Sequence, residues 1–239
     1  MIFKNYFEQS KSPFYSFLYI LPLFIIYELG IYAISSDDLP IIRNGADVLL
    51  RNVLANVGIT GIYGMAFVLF IGVVIACFIN KGKFKSLSLN SNYFLIMIVE
   101  SLIWAVLLSL VLSQSQLLLS KESSRLLFQQ IVLSVGSGIF EEFLFRAILV
   151  SGLALLIGIF IKKKYWYKMS IAVFIGAIIF SYFHFVGEFA TEPTFKLFMI
   201  RLLAGVLLGY IYVIRGFGIA AYTHSFYNLF VFTQLQANI

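Results

Sequence analysis

Long apolar runs are the feature that most constrains the fold of this chain. Residues 14–34 and 93–119 each reach the roughly 20 residues that a helix needs to cross about 30 Å of hydrocarbon. Of all residues, 61% are hydrophobic and only 12% are charged, whereas soluble domains carry roughly a quarter charged residues. Backbone groups inside a bilayer must be hydrogen-bonded internally, so these runs predict helices. The sequence therefore predicts an all-α, polytopic transmembrane helical bundle.

The apolar segments predict about seven spans in a single integral-membrane domain that covers residues 1–239. The predicted spans are residues 14–34, 58–79, 93–119, 136–161, 169–186, 195–214 and 218–235. In residues 39–57, Arg43, Asp47 and Arg51 recur every four positions and lay a charged stripe along one helix face. This pattern predicts an amphipathic helix in the membrane interface. An eighth crossing would require residues 39–57 or 121–135 to span the bilayer.

Basic residues form short clusters at the ends of the apolar runs. The net charge is +6, but such clusters indicate membrane topology rather than a nucleic-acid surface, so no nucleic-acid partner is expected. The clusters after the second and fourth predicted spans, with Arg215 after the sixth, alternate with acidic turns. This alternation predicts a cytoplasmic amino terminus and a carboxyl terminus on the outer side. The single cysteine, Cys77, excludes an intrachain disulfide framework and a multi-cysteine metal site.

Two adjacent carboxylates and a guanidinium interrupt the apolar run at residues 136–146. An ionisable residue inside a bilayer costs from about 3 to more than 10 kcal/mol, so these charges indicate either function or a structural ion pair. On a helix, Glu142 and Arg146 share a face, whereas Glu141 points about 100° away from Glu142. We expect Glu142 and Arg146 to form a supporting pair that orients the site, which leaves Glu141 free for chemistry.

Both histidines of the chain, His184 and His224, fall within predicted spans. Together with Glu141, and with Asn228 one helical turn after His224, they can surround one polar cavity. Such a set can attack an amide with water. Glu141 would accept a proton from water, and His184 would position the water and later donate to the leaving amine. His224 and Asn228 would donate N–H groups to the developing oxyanion.

The predicted spans leave a problem of depth. At 1.5 Å per residue, Glu141 and His184 lie about 22 to 30 Å from the basic ends of their helices, whereas His224 lies about 10 Å from its own. Tilt, an extension of the fourth span through its lysines, or a deeply placed turn at residues 216–218 would bring them together. The fourth span is expected to begin near Gly136 and Gly138, which allow a bend or a close helix contact, after a shorter and partly interfacial segment.

Aromatic side chains are abundant, with 26 Phe and 14 Tyr. Most of them are expected to pack between helices or to anchor the chain at the membrane interface. Phe180 and Phe226 lie close in sequence to the two histidines and are candidates for lining a substrate cavity that accepts an apolar or lipidated peptide.

Three motifs on separate predicted spans carry a family resemblance. They are Glu-Glu-x-x-x-Arg at residues 141–146, Phe-x-x-x-His at residues 180–184 and His-x-x-x-Asn at residues 224–228. In this order they resemble the CAAX protease and bacteriocin-processing family, also called the CPBP or Abi family, over about residues 130–239. The resemblance implies a glutamate-type intramembrane endopeptidase with Glu141 and His184 as water activators and an oxyanion site at residues 224–228. It also implies a helical bundle with an intramembrane catalytic cavity and argues against a metal cofactor.

The second motif departs from that of the eukaryotic prenyl-protein proteases of this family, because Glu188 stands where they usually carry Asn. This departure favours a bacterial-type substrate, such as a peptide pheromone, a bacteriocin precursor or a membrane protein, over a prenylated CAAX protein. The expected partners are the lipid bilayer and a peptide or membrane-protein substrate, which could itself carry a lipid. The expected location is a bacterial plasma membrane, and the sequence gives no signal for an oligomeric state.

Three alternatives stay open from the sequence. Glu141, His184 and His224 could instead hold Zn²⁺, with an open fourth position for water. The chain could be a non-catalytic membrane protein that binds a peptide or provides bacteriocin immunity. It could also be a proton-coupled transporter, although the sequence shows no inverted repeat.

Overall fold

A computed structural model describes residues 2–34, 43–60, 90–112, 127–162, 164–186 and 190–237. All regular structure in these ranges is helical, which confirms the predicted all-α fold. The elements are α1 (Ile2–Ser10), α2 (Pro13–Ala33), α3 (Gly45–Asn56), α4 (Ser91–Leu112), α5 (Leu127–Glu142), a π-helical segment (Phe143–Val150), α6 (Ser151–Phe160), α7 (Tyr165–Phe183), α8 (Phe195–Arg215) and α9 (Phe217–Ala237).

Five helices in the described ranges are long and apolar enough to cross a membrane. They are α2, α4, the continuous helix that runs from α5 into α6, α7 and α8. Helix α9 has a similar length but carries more polar residues, and it is not among the five. Most of the predicted span at residues 58–79, from residue 61 on and including Cys77, lies outside the described residues. The helical membrane class is therefore supported, while the number of seven spans stays a prediction.

The fourth predicted span belongs to one continuous helix, which runs from α5 through the π-helical segment into α6. Residues 127–135 belong to this helix as well, so they do not form a separate segment before it. Of the two alternatives for Gly136 and Gly138, a bend or a close helix contact, the structure shows the close contact. A Cβ on Gly136 would lie 2.2 Å from the ring of Tyr27, and one on Gly138 would lie 2.0 Å from Ser225 Oγ. The irregular geometry lies further along, in the π-helical segment, a feature that is frequent at functional sites.

Gly138→Ala is expected to destabilise the fold by about 1–3 kcal/mol. The added methyl group would lie 2.5 Å from the carbonyl oxygen of Ala221, a backbone atom that cannot rotate away. The matched control is Gly152→Ala in α6, where a Cβ meets nothing within 4 Å and better helix propensity adds up to about 1 kcal/mol. Thermal unfolding of the two purified variants in the same detergent measures both effects. Equal melting temperatures would contradict the close contact of α5 and α9.

Helix α3 has 12 residues and a length of about 18 Å, so it is too short to cross a bilayer. Its charged stripe faces other helices of the protein, and the position of α3 in the membrane interface stays a prediction. Asp47 is fully buried and accepts hydrogen bonds from Tyr27 Oη at 2.8 Å and from Arg51 Nε at 2.7 Å. Arg43 binds the same carboxylate at 2.8 Å, and both arginines pair with Glu28 of α2. The stripe therefore ties α3 to α2.

The charges of this network reinforce one another. Burial alone would lower the pKa of Arg43, but its hydrogen bond to Asp47 and the charges of Asp47 and Glu28 outweigh burial and raise that pKa. Arg43 therefore stays protonated and holds residues 43 and 44 against the charged network. Asn44 is the residue that precedes the helix.

The start of α9 lies beside the middle of the long helix rather than beside its end. Phe217, the first residue of α9, contacts Phe143 with ring centroids 6.0 Å apart. Beyond this level, residues 143–160 extend roughly 25 Å further and pack on α7. The α8–α9 turn is therefore recessed relative to the α6–α7 connection. This step brings His224, about two turns into α9, to the level of the acidic pair and resolves the problem of depth.

Gly216 alone connects α8 to α9, and its φ of +88° lies in a region that L side chains rarely adopt. Helix α1 and the residue after it cover this turn. Arg215 Nη2 donates to Ser10 Oγ at 2.8 Å, and Lys11 Nζ donates to a carbonyl oxygen in the last turn of α8 at 2.7 Å. Arg215 also pairs with Glu100 of α4. The amino terminus and the α8–α9 turn thus share one end of the bundle, and its assignment to the cytoplasm stays a prediction.

Candidate active site

Three of the predicted catalytic side chains meet where α5, α7 and α9 come together. Glu141 Oε2 lies 3.7 Å from His184 Nε2 and 4.0 Å from His224 Nε2. Glu141 lies in the last turn of α5, His184 directly follows α7, and His224 lies about two turns into α9. Glu141 and His224 are each 5% exposed, whereas the His184 side chain is 25% exposed. His184 therefore marks the accessible side of the cluster.

The two carboxylate oxygens of Glu141 have different surroundings. Oε1 accepts hydrogen bonds from Ser137 Oγ at 2.7 Å and from Asn44 Nδ2 at 2.8 Å. Oε2 is buried and makes no hydrogen bond to any residue that the structure describes. The carboxylate is thus held through one oxygen, while the other oxygen faces the two imidazoles.

His184 is oriented by the helix that it follows. Its Nδ1 lies 2.9 Å from the carbonyl oxygen of Phe180. Because a carbonyl oxygen can only accept, Nδ1 carries the proton and Nε2 presents a lone pair on the side of Glu141. The Phe180 ring also meets the imidazole edge-on at 4.8 Å, which restricts the plane of the ring.

His224 is oriented by Glu142, the second member of the acidic pair. Its Nδ1 lies 2.8 Å from Glu142 Oε1, and the same oxygen lies 3.0 Å from Arg146 Nη1. Glu142 and Arg146 are 0% and 1% exposed, so each charge depends on the other for compensation. The predicted pair of Glu142 and Arg146 is present, and the bond to His224 is a contact that the sequence pattern did not indicate.

The other predicted residues differ in how close they lie to this cluster. Phe180 contacts both imidazole rings, at centroid distances of 4.8 and 6.3 Å, and the Arg146 guanidinium lies 4.4 Å from its centre. Asn228 is half-buried on α9, and its side chain makes no hydrogen bond to another residue that the structure describes. Phe226 packs against Tyr222 at 5.7 Å in the helical core, so the structure does not place it in the cluster.

Asn44 joins the site although no sequence motif indicated it. The residue precedes α3 and caps it, because its Oδ1 accepts the Ala46 N–H at 2.8 Å. Its Nδ2 group then reaches Glu141, which is 97 residues away in sequence. An Asn before a helix is a common cap, and this local signal says nothing about a distant carboxylate.

The zinc alternative requires Glu141, His184 and His224 to converge on one ion. Both Nδ1 atoms are hydrogen-bonded to oxygen, as is usual for histidines that ligate a metal through Nε2. Over the described ranges, however, no group of three His, Cys, Asp or Glu side chains is placed to hold a metal ion. Zinc therefore stays an alternative that metal analysis decides.

Comparison with known proteins adds one finding about the family. Residues 123–230 match the family model described as Type II CAAX prenyl endopeptidase Rce1-like. The matched range contains all three sequence motifs and leaves out Asn44. No curated protein and no solved structure matches the chain. Over residues 123–230, a little under half of its length, the chain is therefore similar to the CAAX protease family.

Proposed function

We propose that the chain is an intramembrane endopeptidase that hydrolyses a peptide bond with water activated by Glu141. The observation that carries this proposal is Glu141 Oε2, a buried oxygen that faces two imidazole nitrogens at 3.7 and 4.0 Å. These separations are too long for direct hydrogen bonds but suit a water molecule between the groups. The carboxylate and the lone pair of His184 would accept the two hydrogens of such a water.

The first chemical step is the attack of this water on the carbonyl carbon of the substrate. Glu141 Oε2 takes one proton while the new C–O bond forms and the π electrons move onto the carbonyl oxygen. Since Ser137 and Asn44 already donate to Oε1, the proton goes to Oε2. His184 Nε2 accepts a hydrogen bond from the other O–H of the water, which stays on the attacking oxygen, and thereby orients the attack.

The oxyanion formed by this attack requires N–H donors. His224 offers an Nε2–H group when its ring is protonated on both nitrogens, and Glu142 lies against Nδ1 to balance that charge. The side-chain amide of Asn228, one turn further along α9, is the second proposed donor. A well-placed donor of this kind contributes roughly 3–4 kcal/mol to the stability of the transition state.

The second chemical step breaks the C–N bond. The proton on Glu141 passes to His184 Nε2 and then to the leaving nitrogen, so that Glu141 returns to its ionised form. One water is consumed, and one carboxyl group and one amine are produced. Water is the only co-reactant in this balance, so the proposed reaction requires no cofactor.

The surroundings of the cluster suit a peptide that is already in the membrane. His184 is the most exposed of the three side chains, so the substrate would approach on its side, next to Phe180. The helices around the cluster are apolar, which favours a membrane-protein segment or an apolar peptide, including one that carries a lipid. The bacterial-type substrate rests on Glu188, which lies outside the described residues, and is part of this proposal.

A comparison of the peptides released from native membranes tests the proposal. Membranes with the wild-type chain should release at least one peptide that is missing when the Glu141→Gln variant is present at an equal level. Identical peptide profiles, with the phenotype of the wild type preserved in the variant, would support a non-catalytic binding or immunity protein instead. One zinc ion per chain in the purified active protein would favour the zinc-dependent alternative.

Asn44→Ser is expected to lower turnover roughly tenfold, because the hydrogen bond to a charged carboxylate is lost. Serine still caps α3, so the melting temperature should change little. The matched control is Asn90→Ser, since Asn90 Oδ1 accepts the Asn92 N–H at 3.1 Å at the start of α4. Turnover and melting temperature are measured for both variants. Equal turnover in the two variants would contradict a positioning role for Asn44.

A further inference from the structure

A cavity of about 580 Å³ lies at the step between the recessed α8–α9 turn and the protruding α6–α7 connection. Most of its wall is apolar. The apolar part includes Phe17, Ile20, Phe143, Ala147, Leu155 and Phe217. The cavity is separate from the catalytic cluster, because Phe143 follows Glu141 by two residues and points about 200° away from it on the helix.

Two lysines give this cavity positive charge. Lys11 and Lys168 belong to its lining, and none of the described residues that line it carries a carboxylate. Lys11 comes from the α1–α2 junction and Lys168 from the first turns of α7, so the two charges come from different elements. The hydroxyl groups of Ser151 and Tyr212, hydrogen-bonded to each other at 2.7 Å, add further polar atoms. The cavity therefore combines two cationic side chains with a long apolar wall.

Exposed side chains show which layer of a membrane this cavity would face. On α6, Leu155 and Phe160 are 74% and 85% exposed, which suits contact with acyl chains. At the start of α7, Tyr165 and Trp166 are each 54% exposed, and aromatic residues of this kind mark the level of the lipid headgroups. Lys168 lies at that same end of α7, so the cavity extends from the headgroup level into the acyl-chain layer.

We propose that this cavity binds one anionic phospholipid. The phosphate group would lie between Lys11 and Lys168, and an acyl chain would follow the apolar wall formed by α2, the π-helical segment and α6. Basic pockets between transmembrane helices are suited to acidic lipid headgroups. The charge pattern favours an anionic lipid over a zwitterionic one.

Native mass spectrometry of the full purified chain tests this proposal with two lipids of equal chain length, phosphatidylglycerol and phosphatidylcholine. The wild type should retain one phosphatidylglycerol in preference to phosphatidylcholine. Each lysine near the headgroup contributes about fivefold to the affinity, so Lys11→Gln with Lys168→Gln should weaken phosphatidylglycerol binding roughly 30-fold. Glutamine is one atom shorter than lysine, so the melting temperature of this variant is compared with that of the wild type to check that the α8–α9 turn, which Lys11 contacts, is kept.

The matched control is Lys162→Gln with Lys164→Gln, which removes the same charge from exposed positions outside the cavity. The control should retain phosphatidylglycerol like the wild type. Ala154→Phe keeps both lysines and fills the cavity from α6, so it should lose the bound lipid as well.

Equal retention of the two lipids, equal losses in the two lysine variants, or full retention by Ala154→Phe would overturn the proposal. Displacement by inorganic phosphate alone would also overturn it, because the acyl chain would then contribute nothing. Lipid binding is measured without turnover, so the result is independent of the proposed protease activity.

Discussion

Glu141→Gln is expected to lower the turnover of a peptide substrate by about 10²–10⁴-fold, the contribution typical of a positioned general base. Glutamine has almost the same shape, and its side-chain oxygen can still accept from Ser137 and Asn44. It cannot take a proton from water at the position of Oε2. The purified variant in proteoliposomes should therefore keep the melting temperature of the wild type while its turnover falls.

The matched control for this variant is Glu192→Gln. Glu192 is exposed in the segment between α7 and α8. The control removes the same negative charge from the chain, and its turnover should stay within about twofold of the wild type, as expected for a screened surface charge. Turnover of Glu141→Gln at the level of the control would show that another group is the base.

Arg146→Met is expected to destabilise the chain by about 3–5 kcal/mol, one of the largest effects of any single substitution. The guanidinium is 1% exposed and compensates Glu142, which is fully buried. Methionine fills a similar volume, but it leaves the carboxylate of Glu142 without its cationic partner. Thermal and denaturant unfolding in detergent should show the loss, and turnover at low temperature should fall because Glu142 also orients His224.

The double variant Glu142→Gln with Arg146→Met separates charge compensation from simple loss of packing. Both charges are removed together, so most of the stability lost in Arg146→Met should return. Turnover should stay low, because His224 then faces a neutral amide instead of a carboxylate. A double variant no more stable than Arg146→Met would contradict the ion-pair explanation, and one with wild-type turnover would contradict the role of Glu142 in orienting His224.

The helices and the main cluster could be anticipated because they rest on strong local signals. Apolar runs of membrane length predict helices whatever their partners, and charged or imidazole groups inside such runs have few stable places except a shared polar site. The spacing of Glu142 and Arg146 also required no tertiary information, because a helical turn puts them on one face. The structure places Glu141 with both imidazoles, and the catalytic roles of the three side chains stay predictions.

The contacts made by α3 could not be anticipated, because they depend on which helices become neighbours. A stripe of Arg43, Asp47 and Arg51 has the same periodicity whether it faces water or another helix. The stripe faces inward here because Glu28 of α2 pairs with both arginines. The contact of Asn44 with Glu141 could not be anticipated either. The sequence indicates only that Asn44 caps α3, whereas Glu141 lies on a helix far along the chain. Phe226 shows the reverse, because sequence proximity to His224 does not place its ring on the same helix face.

The level of the site along the helices depends on Gly136 and Gly138 in α5 and on Gly216 between α8 and α9. Gly136 and Gly138 were compatible with a bend or with close packing, and the structure uses them for packing against Tyr27 and α9. The positive φ of Gly216 lets α9 begin directly after α8, at a level set by the π-helical segment. A sequence pattern of apolar residues predicts that a span exists, but it does not predict how far one span is shifted along its neighbour.

The most direct test of the central claim is a double-mutant cycle between Glu141 and His184, measured as turnover of one peptide by Glu141→Gln, His184→Ala and the double variant. If both side chains act on a single water, the double variant should be about as slow as the slower single variant, because residues that act as a unit are strongly non-additive. Losses that multiply, so that the double variant is slower by the product of the two single effects, would show that Glu141 and His184 act independently and would contradict the account.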